Sequence, residues 1–299
     1  ISIDNMQVMN RCAHSQYTTA DNSFEYKMSR QIVKGKLPGA YHYLASSFFF
    51  PPVAKKRTTL LPPILRPEVL EAKREAGQHI LVYSSGVSSM PDLIPTLQKL
   101  PYEFKVYGTG KTGRKGNVVL RPFSEKGFID DLRTARAVIG GGGYSLMSEA
   151  VHLRVPMLAI PIQGQFEQEM NARYLKQLGY GEWTRELNLD SIMNFLKNIA
   201  RYTQALQRYQ PQSNNMLFEC IDELIRAISL DEPPMDRLES TAMGKYCGRP
   251  LPDEGLSEQG IPTFQKAQPK LLPSPSHYLE RTTLSRTSPH TKTKTPKQI

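Results

Sequence analysis

The chain has few cysteines. Cys12, Cys220 and Cys247 stand far apart, and their number is odd. No Cys-x-x-Cys pair or Cys/His cluster has metal-ligand spacing, which argues against both a structural zinc site and a disulfide framework. Free thiols in a reducing compartment, and so a cytoplasmic protein, are expected. No uninterrupted run of 18 apolar residues occurs, so no membrane-spanning helix is expected. The first residues show neither an initiator Met nor a basic segment leading into an apolar core, so no signal peptide is read there. A chain opening at Ile1 inside the strand-like run Ile1-Ser2-Ile3 reads as a fragment of something longer. The formal net charge is +10, yet the lysines and arginines are scattered or in short runs such as Lys55-Lys56-Arg57. None is interleaved with aromatics at stacking spacing, so the charge reads as solvated surface and no nucleic-acid partner is expected.

What is present is ample for a core: 39% of the 299 residues are hydrophobic and 22% charged, ordinary for a globular protein of one large or two ordinary domains. Residues 1–50 alternate strand-like and helical patterns and read as the last third of an α/β domain. Phe24, Met28 and Ile32 recur at helical i, i+4, i+8 spacing, and residues 41–50 favour a strand. Residues 51–77 carry Pro51, Pro52, Pro62, Pro63 and Pro67 and read as an interdomain linker, with at most a short strand at Leu60 and Leu61. Residues 78–230 read as a complete domain of repeated βα units. Its strands fall at 79–84, 104–107, 118–120, 137–139 and 157–160, and its last helices at 189–206 and 214–230. Strands that are continuously apolar predict a doubly wound parallel sheet buried on both faces. Residues 231–299 hold ten of the 23 prolines and few large apolar residues, and a disordered tail is expected there.

The chemistry lies in residues 137–180. Four glycines, Gly140 to Gly143, separate a strand from a helix. Glycine lets backbone approach a ligand closely, and a helix start offers unpaired N–H groups that stabilise an anion such as phosphate. The run is neither a Walker loop nor a dinucleotide fingerprint, since no Gly-Lys-Ser/Thr follows and the Gly-x-Gly-x-x-Gly spacing is absent. Glu149 lies one to two turns into that helix, where a carboxylate could accept a ribose diol; an ordinary solvent-facing helix glutamate fits the spacing equally well. Gln165, Glu167, Gln168 and Asn171 follow the fifth strand of the domain, at the end of the sheet where ligands of this fold sit. They suit a polyhydroxylated ligand, or simply cap a helix start.

The run GGGGYSLMSEA, then Pro-x-Leu-Ala-Ile-Pro, then GQFEQEMNA, resembles the donor-binding half of glycosyltransferases of the two-domain GT-B architecture. The nearest likeness is to a bacterial and archaeal group related to the lipid-linked N-acetylglucosaminyltransferase of peptidoglycan synthesis and to UDP-glucuronosyltransferases, the family 28 C-terminal domain type. The likeness extends over roughly residues 1–185. It implies a GT-B-like fold with one complete Rossmann-like domain plus the remnant of a second. It implies that Gly142, Gly143 and Ser145 hold the diphosphate of a nucleotide sugar, and that Glu149 binds the ribose. Gln165, Glu167 and Gln168 would contact the sugar, and Phe123 would lie near the base, whose edge the neighbouring main chain reads. Ser85 and Gly86 would face the cleft and the phosphates, and 62–67 would be the hinge.

The implied reaction is inverting transfer from a nucleotide donor, expected to be UDP-linked, without metal or cofactor. The acceptor would be lipid-linked, a polysaccharide or a small molecule, with peripheral association at the inner membrane face. The general base would belong to the acceptor domain, of which about a third is present, so no catalytic residue is assigned. His14, the early histidine outside a strand pattern, is expected at the surface. Asp130 and Asp131 are adjacent on a helix and so point in different directions, which removes them as a metal-binding pair. Relatives have a glycine where Arg154 stands, and a left-handed conformation there would cost an arginine about 1 kcal/mol, so a different turn is expected. The alternatives are a non-catalytic nucleotide-sugar-binding remnant and a UDP-sugar epimerase-type enzyme, the latter requiring more cleft carboxylates and histidines than are seen.

Overall fold

A computed structural model describes residues 1–14, 24–83 and 93–238, except for the side chain of Glu25. Two sheets organise these residues. The smaller holds β1 (Ser2–Asp4), β2 (Tyr43–Ser46) and β3 (Thr58–Leu61), all parallel and in that order. Helices α1 (Gln7–Arg11) and α2 (Phe24–Lys36) lie between β1 and β2 in the chain. The larger sheet holds β4 (Ile80–Tyr83), β5 (Phe104–Tyr107), β6 (Gly113–Lys115), β7 (Val118–Leu120), β8 (Ala137–Gly141), β9 (Met157–Ile160) and β10 (Gly181–Trp183). Their order is β10-β9-β8-β4-β5-β7-β6, with only β6 antiparallel. Helix α3 (Pro67–Glu71) precedes them, and the helices between and after them are α4 (Leu93–Gln98), α5 (Glu125–Thr134), α6 (Tyr144–His152), α7 (Phe166–Gln177), α8 (Leu189–Lys197), α9 (Ile199–Leu206) and α10 (Asn215–Ser229).

Strand alternation sends side chains to two apolar layers. Leu81 and Val138 pack with Ile129, Met147, Val151 and Leu175, from α5, α6 and α7. Ile80, Val82, Val106 and Ile139 pack with Leu97, Phe195 and Tyr202, from α4, α8 and α9. Burying such a side chain contributes about 1.5–3 kcal/mol, so each strand is held from both faces, as its continuous apolar sequence requires. The doubly wound parallel sheet expected from the sequence is therefore present. Among the described residues, no helix is long and apolar enough to cross a membrane.

The boundaries read from the sequence move in several places. Residues 58–61, inside the proline-rich stretch taken as a linker, are a paired strand of the smaller sheet. The prolines flank β3 rather than interrupting it, so its ladder is intact. Helix α10, expected to close the larger domain, packs instead on the smaller sheet: Met216, Cys220 and Leu224 meet Leu44 and Leu61. The chain stays ordered beyond Asp231. Leu238 is buried in the same cluster, the Tyr41 hydroxyl donates to the Glu232 carbonyl at 3.0 Å, and Lys56 pairs with Asp236 at 2.9 Å. Residues 239–299 of the expected tail lie outside the described residues.

The helix read at 189–206 is two, α8 and α9, meeting at Asn198. The short strands β6 and β10 have no sequence pattern long enough to mark them. The stripe Phe24, Met28 and Ile32 of α2 faces outward, while Tyr26 and Val33 on another side of the helix are buried.

His14 is buried rather than at the surface. One ring nitrogen lies 2.8 Å from the Tyr174 hydroxyl on α7 and the other 3.0 Å from the Val8 carbonyl. Beside it, the rings of Phe49 and Tyr174 stack with centroids 3.9 Å apart. Burial pushes His14 below the ordinary histidine range, and does the same to His42, His79 and His152. An unfolded chain takes up protons at these rings near about pH 6.5 while the native state resists, so stability is full above that value and declines as pH falls below it. The urea midpoint should therefore fall between about pH 7.5 and about pH 5.5. A His14→Gln variant should show a shallower fall.

Arg154 has φ 55°, so the left-handed turn is kept despite the arginine. Its guanidinium compensates by donating to the Tyr209 carbonyl through Nε at 3.3 Å and Nη2 at 3.0 Å. Arg154→Ala keeps the strain and loses both bonds, and should cost about 1–2 kcal/mol. Arg154→Gly loses the bonds but relieves the strain, and should be about 1 kcal/mol more stable than the alanine variant. Equilibrium urea unfolding reads the difference.

Candidate functional site

The strand order reverses between β4 and β8: from β4 the chain winds outward through β5 and β7, then returns to β8 and winds the other way. Flanking helices diverge at such a switch point and leave a crevice at the carboxyl ends of the strands. Gly140 and Gly141 end β8, and Gly143 is the N-cap of α6, with no side chain capping the helix. A Cβ on Gly142 would lie 2.7 Å from the Gln168 carbonyl oxygen and 2.8 Å from the Gln168 Cβ, so only glycine lets α6 and α7 start this close together. A Cβ on Gly143 would meet nothing within 4 Å. Its side is open.

A cavity of about 530 Å³ adjoins this helix start, within the usual size of small-ligand sites. Tyr83 ends β4 on one wall, Tyr107 ends β5, and Gly108 and Gly110 follow it. Arg121 and Phe123 follow β7, Glu125 and Phe128 belong to α5, and Ser145, Leu146 and Glu149 come from α6. Arg66, from the segment before α3, completes the lining. Of the residues singled out in the sequence, Phe123, Ser145 and Glu149 thus share one cavity, while Gly142 and Gly143 precede Ser145 in the chain without lining it. Gln165, Glu167 and Gln168 do not line it. Ser85 and Gly86 lie outside the described residues.

Glu149 is not the solvent-facing glutamate that its spacing also allowed. It is buried, and both its carboxylate oxygens accept from Arg66, from Nε at 2.9 Å and from Nη2 at 3.0 Å. Arg66 Nη1 also reaches Glu125 at 2.6 Å. Burial pushes the Glu149 carboxyl above the usual carboxylate range, and Arg66 offsets this only in part. Burial works to lower Arg66, but the two carboxylates outweigh it and hold the guanidinium firmly charged. A carboxylate has about four lone-pair positions, so the bidentate pair leaves room for further donors.

At the start of α7, Gln168 Oε1 accepts from the Ile162 amide at 3.1 Å, and its Nε2 donates to Gln165 Oε1 at 2.6 Å. These two amides fix the loop after β9. Glu167 accepts from Asn171 Nδ2 at 3.1 Å, and burial raises its carboxyl above the usual range. Asp4 and Lys36 of the smaller sheet's half act on it, so Glu167 faces that half rather than the cavity.

A second charged cluster was not read from the sequence. Asp131 is buried and accepts from Lys105 Nζ at 2.6 Å, the Tyr107 hydroxyl at 2.6 Å and Arg121 Nε at 2.9 Å. Burial works to raise Asp131, but these three donors outweigh it and hold the carboxyl below its usual range. Burial, then the Asp131 bond, pushes Tyr107 up to about 12. Asp130, by contrast, points outward to Arg133. Among the described residues, no three His, Cys, Asp or Glu side chains converge as a metal site. Arg66 and Arg121 each stood in plain view, one ending the proline-rich segment and one following a buried strand. The signal that would have found Arg121 is its place at the carboxyl end of β7.

Removing the Arg66 charge leaves Glu149 buried without its cation. In Arg66→Met, the Glu149 carboxyl should titrate still higher than in the parent chain, as read by carboxyl carbon NMR. An unchanged titration would show that the pair does not set the charge of this wall.

The family model described as Glycosyl transferase family 1 matches residues 1–200. An uncharacterized glycosyltransferase of Methanosarcina acetivorans is 32% identical over 98 residues, which is 30% of this chain and 26% of that protein. One from Methanosarcina mazei is 34% identical over 84 residues, 26% of this chain and 22% of that protein. The chain thus spans about a quarter of the length of these curated relatives. Among solved structures, spinosyn forosaminyltransferase SpnP gives a TM-score of 0.45 at 12% identity, covering 61% of this chain and 55% of that one. MurG of Acinetobacter baumannii gives 0.44 at 15%, covering 66% and 70%. The match of the family model across two-thirds of the sequence carries the assignment, and it agrees with the motifs of residues 140–172: the chain belongs to glycosyl transferase family 1.

Proposed function

We propose that this chain binds the nucleotide-sugar donor, UDP-linked, of an inverting and metal-independent glycosyl transfer. The observation that carries the reading is the uncapped start of α6, which opens onto a cavity of about 530 Å³ at the switch point of the sheet, with the Glu149 carboxylate one to two turns away. In this reading the amides at Gly143 to Ser145 and the Ser145 hydroxyl receive the diphosphate, where the helix dipole favours negative charge. As the glycosidic bond to the diphosphate breaks, those same donors stabilise the charge left on the leaving group. Glu149 accepts the ribose hydroxyls on the positions that Arg66 leaves free. Phe123, 92% exposed at the rim, covers the base. The sugar then extends toward the α7 start, where Gln165, Glu167 and Gln168 form the wall next to the smaller sheet. Ser85 and Gly86 are assigned to the phosphate side by their place after β4. The acceptor and its general base are assigned to the partner half of the cleft.

Gly143 provides a clean test, because its side chain space is empty unless a ligand fills it. Gly143→Ala should cost at most about 1 kcal/mol of stability, the preference of an N-cap for glycine over alanine. Its affinity for UDP in calorimetry should fall about tenfold or more, because a methyl group would then occupy the phosphate approach. Glu149→Ala should likewise lose UDP. Unchanged UDP affinity in both variants would overturn the site.

A further inference from the structure

The cavity adjoins two charged clusters of opposite balance. At one, Glu149 and Glu125 share the single cation Arg66 and leave an excess of negative charge. At the other, Asp131 is shared by the two cations Lys105 and Arg121, leaving an excess of positive charge. Of that pair, Arg121 lines the cavity. Its Nε is held at 2.9 Å by Asp131 and at 3.3 Å by the Tyr107 hydroxyl. Asp131 is itself 3% exposed and cannot swing away, so the guanidinium plane is fixed from behind. Its two Nη groups have no hydrogen-bond partner among the described residues, and the side chain is 39% exposed. A guanidinium offers donors only. The cavity wall therefore presents a fixed pair of donors, two residues along the chain from Phe123.

Resting on the nucleotide reading above, we propose that Arg121 adds a side-chain contact to the main chain beside Phe123 and donates to the one ring carbonyl that uracil has and cytosine lacks, so favouring a dioxopyrimidine, with Asp131 as its positioning residue. The negative cluster takes ribose hydroxyls, which donate; the positive cluster takes a group that accepts. Uracil carries a carbonyl at the ring position where cytosine carries an amino group. A fixed donor facing that position bonds the first and is left facing another donor in the second, and sites built this way discriminate strongly.

The test titrates the 299-residue chain with UDP and CDP, which differ only in the base. The parent chain should favour UDP by about tenfold or more. Arg121→Met, at a partly exposed position, should fold and bring the ratio near one, mainly by losing UDP. Asp131→Asn should narrow the ratio while UDP binding persists; if that variant fails to fold, Arg121→Met alone decides. Equal affinity of the parent for both nucleotides would overturn the proposal. So would an unchanged ratio in Arg121→Met, or an equal loss of both ligands, which would make Arg121 a phosphate contact. Failure of the parent chain to bind either nucleotide would instead overturn the nucleotide reading itself, and this inference with it.

Discussion

The contact of Gly142 with Gln168 governs the rest of the site. With no room for a Cβ, the first turn of α6 lies against the first turn of α7, and two helix starts share one corner of the sheet. Unpaired amides from α6 then sit beside the amide and carboxylate side chains of α7. The strand order places that corner at the point where the sheet's winding reverses. Any larger residue at position 142 would separate the two helix starts and divide the site into unrelated halves.

The same corner joins the two sheets. Tyr144, at the first position of α6, hydrogen bonds through its hydroxyl to Ser46 at the end of β2. Ser46 in turn donates to the Pro62 carbonyl at 2.9 Å and accepts from the Ile64 amide at 3.1 Å. Two residues after Ile64, Arg66 reaches back to Glu149 on α6. Residues 62–66 of the proline-rich segment are therefore tied to the helix that starts the site, through Ser46 at one end and directly through Arg66 at the other. The segment's stiff prolines keep the two anchors at a fixed separation.

Much of the larger sheet was legible because continuous apolar strands and glycine breaks have one physical meaning: burial on both faces, and close approach of backbone. The place of the glycine run between a strand and a helix was legible for the same reason. What the sequence concealed depends on contacts between distant segments. Glu149 could not be told from a surface glutamate, because its partner Arg66 stands 83 positions earlier. The stripe Phe24, Met28 and Ile32 has helical spacing, but which side of α2 turns inward is decided by Phe166, whose ring lies 4.9 Å from that of Tyr26. Strand β3 was visible among its proline neighbours only at Leu60 and Leu61, half of its length, and Arg154 was hidden by the carbonyl of Tyr209 that rewards a strained turn. Periodicity reports that a face exists; it does not report what that face will meet.

The return of α10 to the smaller sheet also bears on how the chain is made. Leu44 and Leu61 are made well before the residues that cover them, Met216, Cys220 and Leu224, which come more than 150 positions later. Until then the smaller sheet has one apolar face open to water, while the larger sheet can complete both of its layers from its own βα units. Synthesis should therefore pass through a state in which the larger sheet is folded and the smaller one waits, exposed to chaperones and to wrong partners. The closure of such a long loop, rather than any local helix or turn, sets the last step of folding.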